Sequence, residues 1–475
     1  MDITHTRHPK VLPFLFLTEL WERFGFYVVQ GLLILYMTSY YGFSDNESYT
    51  ISGIFAGLVY ISPFVGGILA DKFIGFTTAI LCGGIFLVLG YALLALSSTP
   101  FFFYPALATI IVGNGLLKPN ISSLLGTQYA EHDPRRDAGF TIFYIGINIG
   151  VTLSLISGYV KDAYSWHLAF TLASLGMIIG LATFLYGQRY LKPFHSLAKT
   201  STKTNFQLLA CMLLAIVGLS FLFNITVLAN WLLPITGLAL LFFLINLTMQ
   251  QEAIYRNRMI MLNLLIIASI VFWTLFFQLF NSATLYIDRL VDKNFLNIPL
   301  TTTVFYASEG IFIIILGHLF VWLWQTLAHQ KRNPSPITKF TLGIAFMGLG
   351  FFILGTSTLY PNAQDLIPAG WIFTAYLFIT IGELLVSPIG LSAVTMLAPP
   401  KLIGMMMGIW FVSLGFGGFF AGWVAKLSDV PNAAMSTTDK LNIYHHAFLE
   451  YAYLAFFVAV VLILVNFSIK KLMRD

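Results

Sequence analysis

Long apolar runs broken by short polar joints set the rhythm of this chain from Val11 onward. Fourteen can be marked. Six lie at about 11–41, 49–70, 76–97, 101–127, 139–160 and 167–188, and two at 206–224 and 229–249. The last six fall near 259–285, 302–327, 339–357, 367–397, 402–427 and 445–469. Most have the ~20 residues that a helix needs to cross a bilayer. The order predicts an all-α membrane protein: a six-helix bundle in 1–190, a linker with two inserted transmembrane helices in 191–258, and a second six-helix bundle in 259–475. The inserted pair carries no acidic or basic residue within its spans, as expected of a lipid-facing hairpin.

Composition agrees. Of 475 residues, 58% are hydrophobic and 9% are charged, against about a quarter charged in soluble domains. The lipid bilayer is therefore the expected surrounding. The net charge of +5 does not point to nucleic acid, because the basic residues are scattered over loops. With the N-terminus inside, eighteen Lys/Arg fall on cytoplasmic segments, among them Arg135, Arg136, Arg189, Lys192, Lys331, Arg332, Lys470 and Lys471. Five fall outside (Lys161, Arg289, Lys293, Lys426, Lys440), and Arg23 and Lys118 stay in the membrane. That bias places both termini in the cytoplasm. Met1 to Lys10 is short and polar, and the run after it is too long for a signal-peptide core, so no cleaved segment is expected.

Several chemistries find no support. Cys82 and Cys211 lie in apolar runs, which indicates neither a disulfide framework nor a metal site. No Gly-rich phosphate loop, His-Glu-x-x-His or Gly-x-Ser-x-Gly pattern occurs, so neither ATP-driven pumping nor intramembrane hydrolysis is indicated. The chain reads as a non-enzyme without cofactor. His132, His167, His195, His318, His329, His445 and His446 sit mostly at loops or helix ends, where packing or surface roles are expected.

Candidate chemistry is confined to a few polar residues inside apolar runs. Glu19, Glu22 and Arg23 share one helix face in the first run. Each charge at the centre of a spanning helix costs roughly 2.5–3.5 kcal/mol or more, unless it is paired or faces a wet cavity. Glu19 can pair with Arg23 one turn on, leaving Glu22 to face the space beside it. Lys118, next to Pro119 in the fourth run, needs a carboxylate once desolvated. Tyr144 and Asn148, one turn apart, offer neutral donors suited to a carbonyl or carboxylate. Glu383, near Pro388, can receive an ammonium group. Asp71 closes the loop motif Gly66-Gly67-Ile68-Leu69-Ala70-Asp71-Lys72, where a gating role is expected.

These residues also carry a resemblance. Glu19-x-x-Glu22-Arg23-Phe24-x-x-Tyr27 resembles the first-helix signature of the proton-dependent oligopeptide transporters, a branch of the major facilitator superfamily. Gly113 to Asn120, Phe143-Tyr144-Ile145-Gly146-Ile147-Asn148-Ile149-Gly150 and Gly382-Glu383-Leu384-Leu385-Val386-Ser387-Pro388 resemble three further motifs of that family, in the right order. The loop motif resembles the Gly-x-x-x-Asp-Arg loop of the superfamily. The resemblance implies a major facilitator fold and import of dipeptides or tripeptides with protons across a bacterial inner membrane, by rocking of the two halves. It implies proton coupling by Glu19, Glu22, Arg23 and Lys118, with Lys118 paired to Glu22. It implies a pocket lined by Tyr27, Tyr60, Lys118, Tyr144, Asn148, Ser387 and Trp410, with Glu383 at the peptide's amino end. A monomer is expected. The fold carries many cargoes, so nitrate or an amino-acid conjugate is the rival solute, and a membrane receptor or enzyme the rival class.

Three positions depart from the family pattern. Phe26 stands where the signature has the first of two tyrosines. Gln30 and Phe277 stand where the family has a paired Arg and Glu. Losing both partners together is close to neutral, whereas losing one leaves an unpaired buried charge costing about 3–5 kcal/mol. The double loss points to a coherent change of mechanism and to the atypical bacterial subgroup. Glu309 stands where the family usually has Asn. It is expected to join Glu383 at the amine side of the pocket and to favour substrates with a second positive charge.

Overall fold

In the computed structural model, residues 8–130, 133, 135–191, 202–432 and 434–472 are described. Their secondary structure is almost wholly helical. The first long helix, α1, spans Leu12–Leu35. Thirteen further helical spans are long and apolar enough to cross a membrane. They are α2 (Asp45–Ile74), α3 (Phe76–Leu96), α4 (Pro100–Thr127), α5 (Arg136–Ala163), α6 (Trp166–Tyr190), α7 (Phe206–Asn224) and α8 (Thr226–Met249). Then come α9 (Tyr255–Leu290), α10 (Thr302–His329), α11 (Pro336–Ser357), α12 (Ala369–Leu397), α13 (Pro400–Ser428) and α14 (Thr437–Phe467). Length and hydropathy make the thirteen evident; α1 has the length but carries Glu19, Glu22 and Arg23 within it. Lys192, His132 and His195 lie outside the described residues, as do the side chains of Lys470 and Lys471.

The helices gather into two compact units. The first comprises 1–36 and 58–226, the second 37–57 and 227–475. The boundary falls inside α2, so the two ends of one helix pack in different units.

In the first unit, α2 and α4 cross at backbone contact. Pro119 cannot donate to the carbonyl of Gly115 four residues earlier, yet α4 continues through it. That carbonyl faces Gly66, where a Cβ would stand only 1.9 Å from the oxygen. Gly66 and Pro119, read from two separate motifs, are thus two sides of one crossing. Asn120 closes it with its Nδ2, which donates to the Leu116 carbonyl at 2.6 Å and the Gly66 carbonyl at 3.3 Å.

In the second unit, the early part of α2 is tied down by polar contacts. Asp45 takes a two-pronged bond from Arg289, at 2.6 and 2.7 Å. Ser52 donates to Asn281 at 2.6 Å, and the Tyr49 hydroxyl meets Ser428 at 3.1 Å. Short strands occupy the connections here: Val291–Asp292 pairs in parallel with Ile367–Pro368, and Asn294–Phe295 with Ile298–Pro299 in antiparallel. The latter turn places Leu296 and Asn297 at φ of 53° and 66°, the left-handed pair that a two-residue hairpin requires.

The inserted helices present apolar side chains outward. Leu214 on α7 is 69% exposed and Phe242 on α8 is 72% exposed. An apolar crevice of about 430 Å³ runs along α7, lined by residues such as Leu58, Val65, Leu116 and Met212. Another, of about 360 Å³, runs along α8. Neither is lined by any of the charged residues described next.

Candidate functional site

The first unit buries a charged cluster around α1. Glu19 and Glu22 are fully buried and Arg23 nearly so. Arg23 grips both oxygens of Glu22: Nε donates to Oε2 at 2.5 Å and Nη2 to Oε1 at 2.6 Å. Nη2 also donates to Oδ1 of Asn114 at 3.0 Å, and the Asn114 amide donates to the Val59 carbonyl at 2.8 Å. Lys118, one turn beyond Asn114 on α4, donates its Nζ to Oε1 of Glu19. The Arg23 Nε stands 3.8 Å from the same oxygen, while Oε2 of Glu19 has no hydrogen-bond partner.

This pairing departs from the expected one. Lys118 meets Glu19, not Glu22, because Arg23 folds back on its neighbour and occupies both Glu22 oxygens. The i to i+4 contact between Glu19 and Arg23 survives only as the longer one. Two carboxylates and two cations thus balance within one unit, which removes most of the cost of burying them.

Aromatic groups frame the cluster. The Arg23 guanidinium lies 4.7 Å from the centre of the Phe26 ring, a cation–π contact. Phe26 meets Tyr27 and Tyr60 edge to face, with ring centroids 5.4 and 6.0 Å apart. So Phe26 holds a place between two predicted pocket residues. Tyr91 on α3 packs against Gly25, where a Cβ would stand 2.7 Å from the ring; its buried hydroxyl has no partner. Asn114 and Tyr91 escaped the sequence reading. Asn114 had a signal: a polar side chain one turn before Lys118, on the same helix face.

The second unit holds a different constellation. Glu309, in the third turn of α10, is 5% exposed, and Glu383 on α12 is partly buried. They are close enough for their charges to interact. No donor group reaches the buried Oε2 of Glu383. Tyr376, two turns before Glu383, is close enough to Glu309 to interact with its charge, and its buried hydroxyl has no partner. Neither acid forms an ion pair with Lys, Arg or His among the described residues.

The remaining predicted residues vary. Asn148 is buried and donates back into its own helix, to the Tyr144 carbonyl at 3.0 Å. Tyr144 is half-exposed. Trp410 is buried against Gly390, where a Cβ would stand 2.0 Å from the indole, and meets Phe340 at 6.0 Å. Ser387 is partly buried and Asp71 exposed, in a π-helical turn ended by Gly75 at φ 75°.

The family model described as the POT family matches residues 77–441. The chain belongs to the POT family. Its curated relatives include a protein named dipeptide and tripeptide permease A from Chromobacterium violaceum, 33% identical over 97% of this chain and 93% of that one. Another of the same name, from Yersinia pestis, is 32% identical over 96% of this chain and 92% of that one. Among solved structures, a peptide transporter POT in complex with sulfate superposes with a TM-score of 0.85 at 30% identity, over 98% of this chain and 96% of that one. A structure described as tetrameric PepTSo2 superposes with a TM-score of 0.87 at 27% identity, over 98% and 99% of the two chains. The chain therefore has the major facilitator fold of POT transporters.

Within that POT family frame the departures have distinct surroundings. Gln30 is buried in the first unit, and its Oε1 finds no donor. Phe277 is 2% exposed in an aromatic cluster with Trp273, Phe276 and Phe280, whose rings meet it tilted or edge to face. A carboxylate there would meet rings on three sides. The neighbouring Gln278 is fully used: it donates to the Thr274 and Ala421 carbonyls and accepts from Ser282.

Proposed function

We propose that this chain is a secondary active symporter of the bacterial inner membrane, with both termini in the cytoplasm. It imports dipeptides, and tripeptides where they fit, with protons moving down their gradient, by alternating access. The observation that carries this reading is the buried cluster of Glu19, Glu22, Arg23 and Lys118 on an otherwise apolar helix. A helix that served only to span the bilayer would carry none of these charges. The names of the relatives support the peptide as cargo.

The chemistry divides between carboxylates and cations. Glu22, held by Arg23, and Glu19, held by Lys118, can each take up a proton only if the matching cation finds another anion. A peptide carboxylate is such an anion, which couples substrate to proton. Tyr27, Tyr60, Tyr144 and Asn148 supply neutral hydrogen-bonding groups to the same end of the peptide. Glu383 receives the peptide's ammonium, with Glu309, Ser387 and Trp410 beside it. Asp71 acts in gating, the N-terminal and C-terminal six-helix halves move as bodies, and the working unit is a monomer. These roles rest on motif and chemistry together.

A competition panel of dipeptides on reconstituted protein, with and without a pH gradient, tests the reading. Uphill accumulation of a labelled dipeptide with the gradient, suppressed by other dipeptides, is expected. Equal distribution across the membrane with and without the gradient would overturn it.

A further inference from the structure

Two cavities adjoin where the inserted helix α8 lies against α13 in the second unit. One, of about 440 Å³, opens at the start of α8 and the end of α13, between Asn230, Trp231, Pro234, Trp423 and Lys426. The other is the crevice of about 360 Å³ along α8, walled by apolar residues such as Leu238, Leu241, Leu244, Ile270 and Phe416. Pro234 lines both, so the first is a mouth to the second. Gly237, where a Cβ would stand 2.9 Å from the Phe416 ring, brings the two helices together there. At the far end the Asn263 amide of α9 donates to the Thr248 hydroxyl of α8 at 2.9 Å and closes the floor.

The mouth has donors to spare. Trp423 Nε1 donates to Oδ1 of Asn230 at 3.2 Å, which occupies the acceptor of that amide and leaves its NH2 group to donate. Lys426, one turn beyond Trp423, forms no ion pair among the described residues, not even with Asp429 three residues on. An ammonium and an amide NH2 together suit an anionic oxygen. Trp231 and Trp423, 68% and 41% exposed, stand near the ends of their helices, where indoles mark the edge of the hydrocarbon. From Pro234 to Leu244 α8 rises about 15 Å, half of the ~30 Å hydrocarbon core. The crevice is one leaflet deep. The crevice along α7 has no such mouth, since none of its lining residues is charged.

We propose that the seam of α8 and α13 binds a glycerophospholipid of the leaflet away from the C-terminus. Its phosphate lies on Lys426 and Asn230, and one acyl chain fills the crevice below Pro234. A soluble anion leaves the apolar walls uncovered, and a bare hydrocarbon leaves the ammonium and amide without an acceptor. Only an amphiphile satisfies both. An anionic headgroup such as phosphatidylglycerol is preferred over zwitterionic phosphatidylethanolamine, because the mouth carries a positive charge and no carboxylate. The bound lipid joins α8 to α13 and stabilises that contact by mass action.

The test labels purified full-length protein with phosphatidylglycerol or phosphatidylethanolamine carrying a photoreactive group at the end of one acyl chain, and maps the crosslinked peptides. Phosphatidylglycerol is expected to label 234–244 and 266–270 more strongly than phosphatidylethanolamine does, while the α7 crevice shows no such preference. Excess unlabelled phosphatidylglycerol should suppress the signal, and glycerol 3-phosphate should not. Lys426→Gln should lower labelling at the seam roughly tenfold, Leu241→Trp should fill the crevice and remove it, and Lys161→Gln, at the end of α5, should leave it unchanged. Equal labelling by the two lipids, or labelling spread evenly over the lipid faces of α7, α10 and α14, would overturn the proposal. So would an equal fall in Lys161→Gln, which would reduce the effect to general charge attraction, or suppression by glycerol 3-phosphate, which would assign the mouth to a soluble phosphate. The wild-type map decides even if a variant does not fold.

Discussion

The two buried charge centres solve one problem in opposite ways. Around α1, Glu19, Glu22, Arg23 and Lys118 sum to zero, and Asn114 takes up the spare guanidinium donor. On α10 and α12, Glu309 and Glu383 have no Lys, Arg or His ion-pair partner among the described residues, and Oε2 of Glu383 has no hydrogen-bond partner. A balanced cluster is stable when empty and is disturbed by whatever changes its charge. An unbalanced pair is costly when empty and is relieved by any cation, a proton or an ammonium. The first arrangement suits coupling, and the second suits capture of a positive group.

The sharpest way to break the comparison is to delete a charge from each centre. Arg23→Met strands Glu22 without its partner. It should cost about 3–5 kcal/mol, seen as a large fall in melting temperature and yield in detergent. Lys118→Ala should abolish gradient-driven uptake, and Lys118→Arg should restore little of it, because a planar fork cannot trade partners as a compact ammonium does. Normal uptake by Lys118→Arg would reduce Lys118 to a fixed positive charge. Asn114→Ala removes one acceptor from Arg23 and one donor from the Val59 carbonyl. Thermal unfolding should register about 1–3 kcal/mol of destabilisation. At the other centre, Glu309→Gln should leave the melting temperature at neutral pH level or raised, since it removes a buried carboxyl group that no cation balances among the described residues. A fall as large as that of Arg23→Met would show that the two centres are alike.

What the sequence discloses follows from how local each signal is. Thirteen spans are legible because hydropathy is a property of contiguous residues, and α1 is legible as a long apolar run despite its three charges. The face shared by Glu19, Glu22 and Arg23 is legible because it needs only the helical period. The choice of Lys118 for Glu19 is not, since Arg23 could take either acid and only side-chain packing decides. The Arg289–Asp45 pair joins residues 244 positions apart, and neither has a motif around it. Nor does anything in α2 announce that its two ends belong to different compact units; that follows from distant contacts such as Tyr49 with Ser428. Asn114 lies between Gly113 and Gly115, so its local sequence signals close backbone packing, while the side-chain oxygen that accepts from Arg23 depends on a contact 91 positions away.

The division of labour between the two centres is tested most directly by one paired measurement in proteoliposomes: gradient-driven accumulation and counterflow exchange of labelled Ala-Ala, in Glu22→Gln and Glu309→Gln side by side. Glu22→Gln should lose uphill accumulation while retaining part of the exchange, because substrate still binds but the proton no longer has its carboxylate. Glu309→Gln should still concentrate Ala-Ala, with its ranking against lysyl peptides altered. Uphill accumulation by Glu22→Gln at the wild-type level, or its complete loss in Glu309→Gln, would contradict the account.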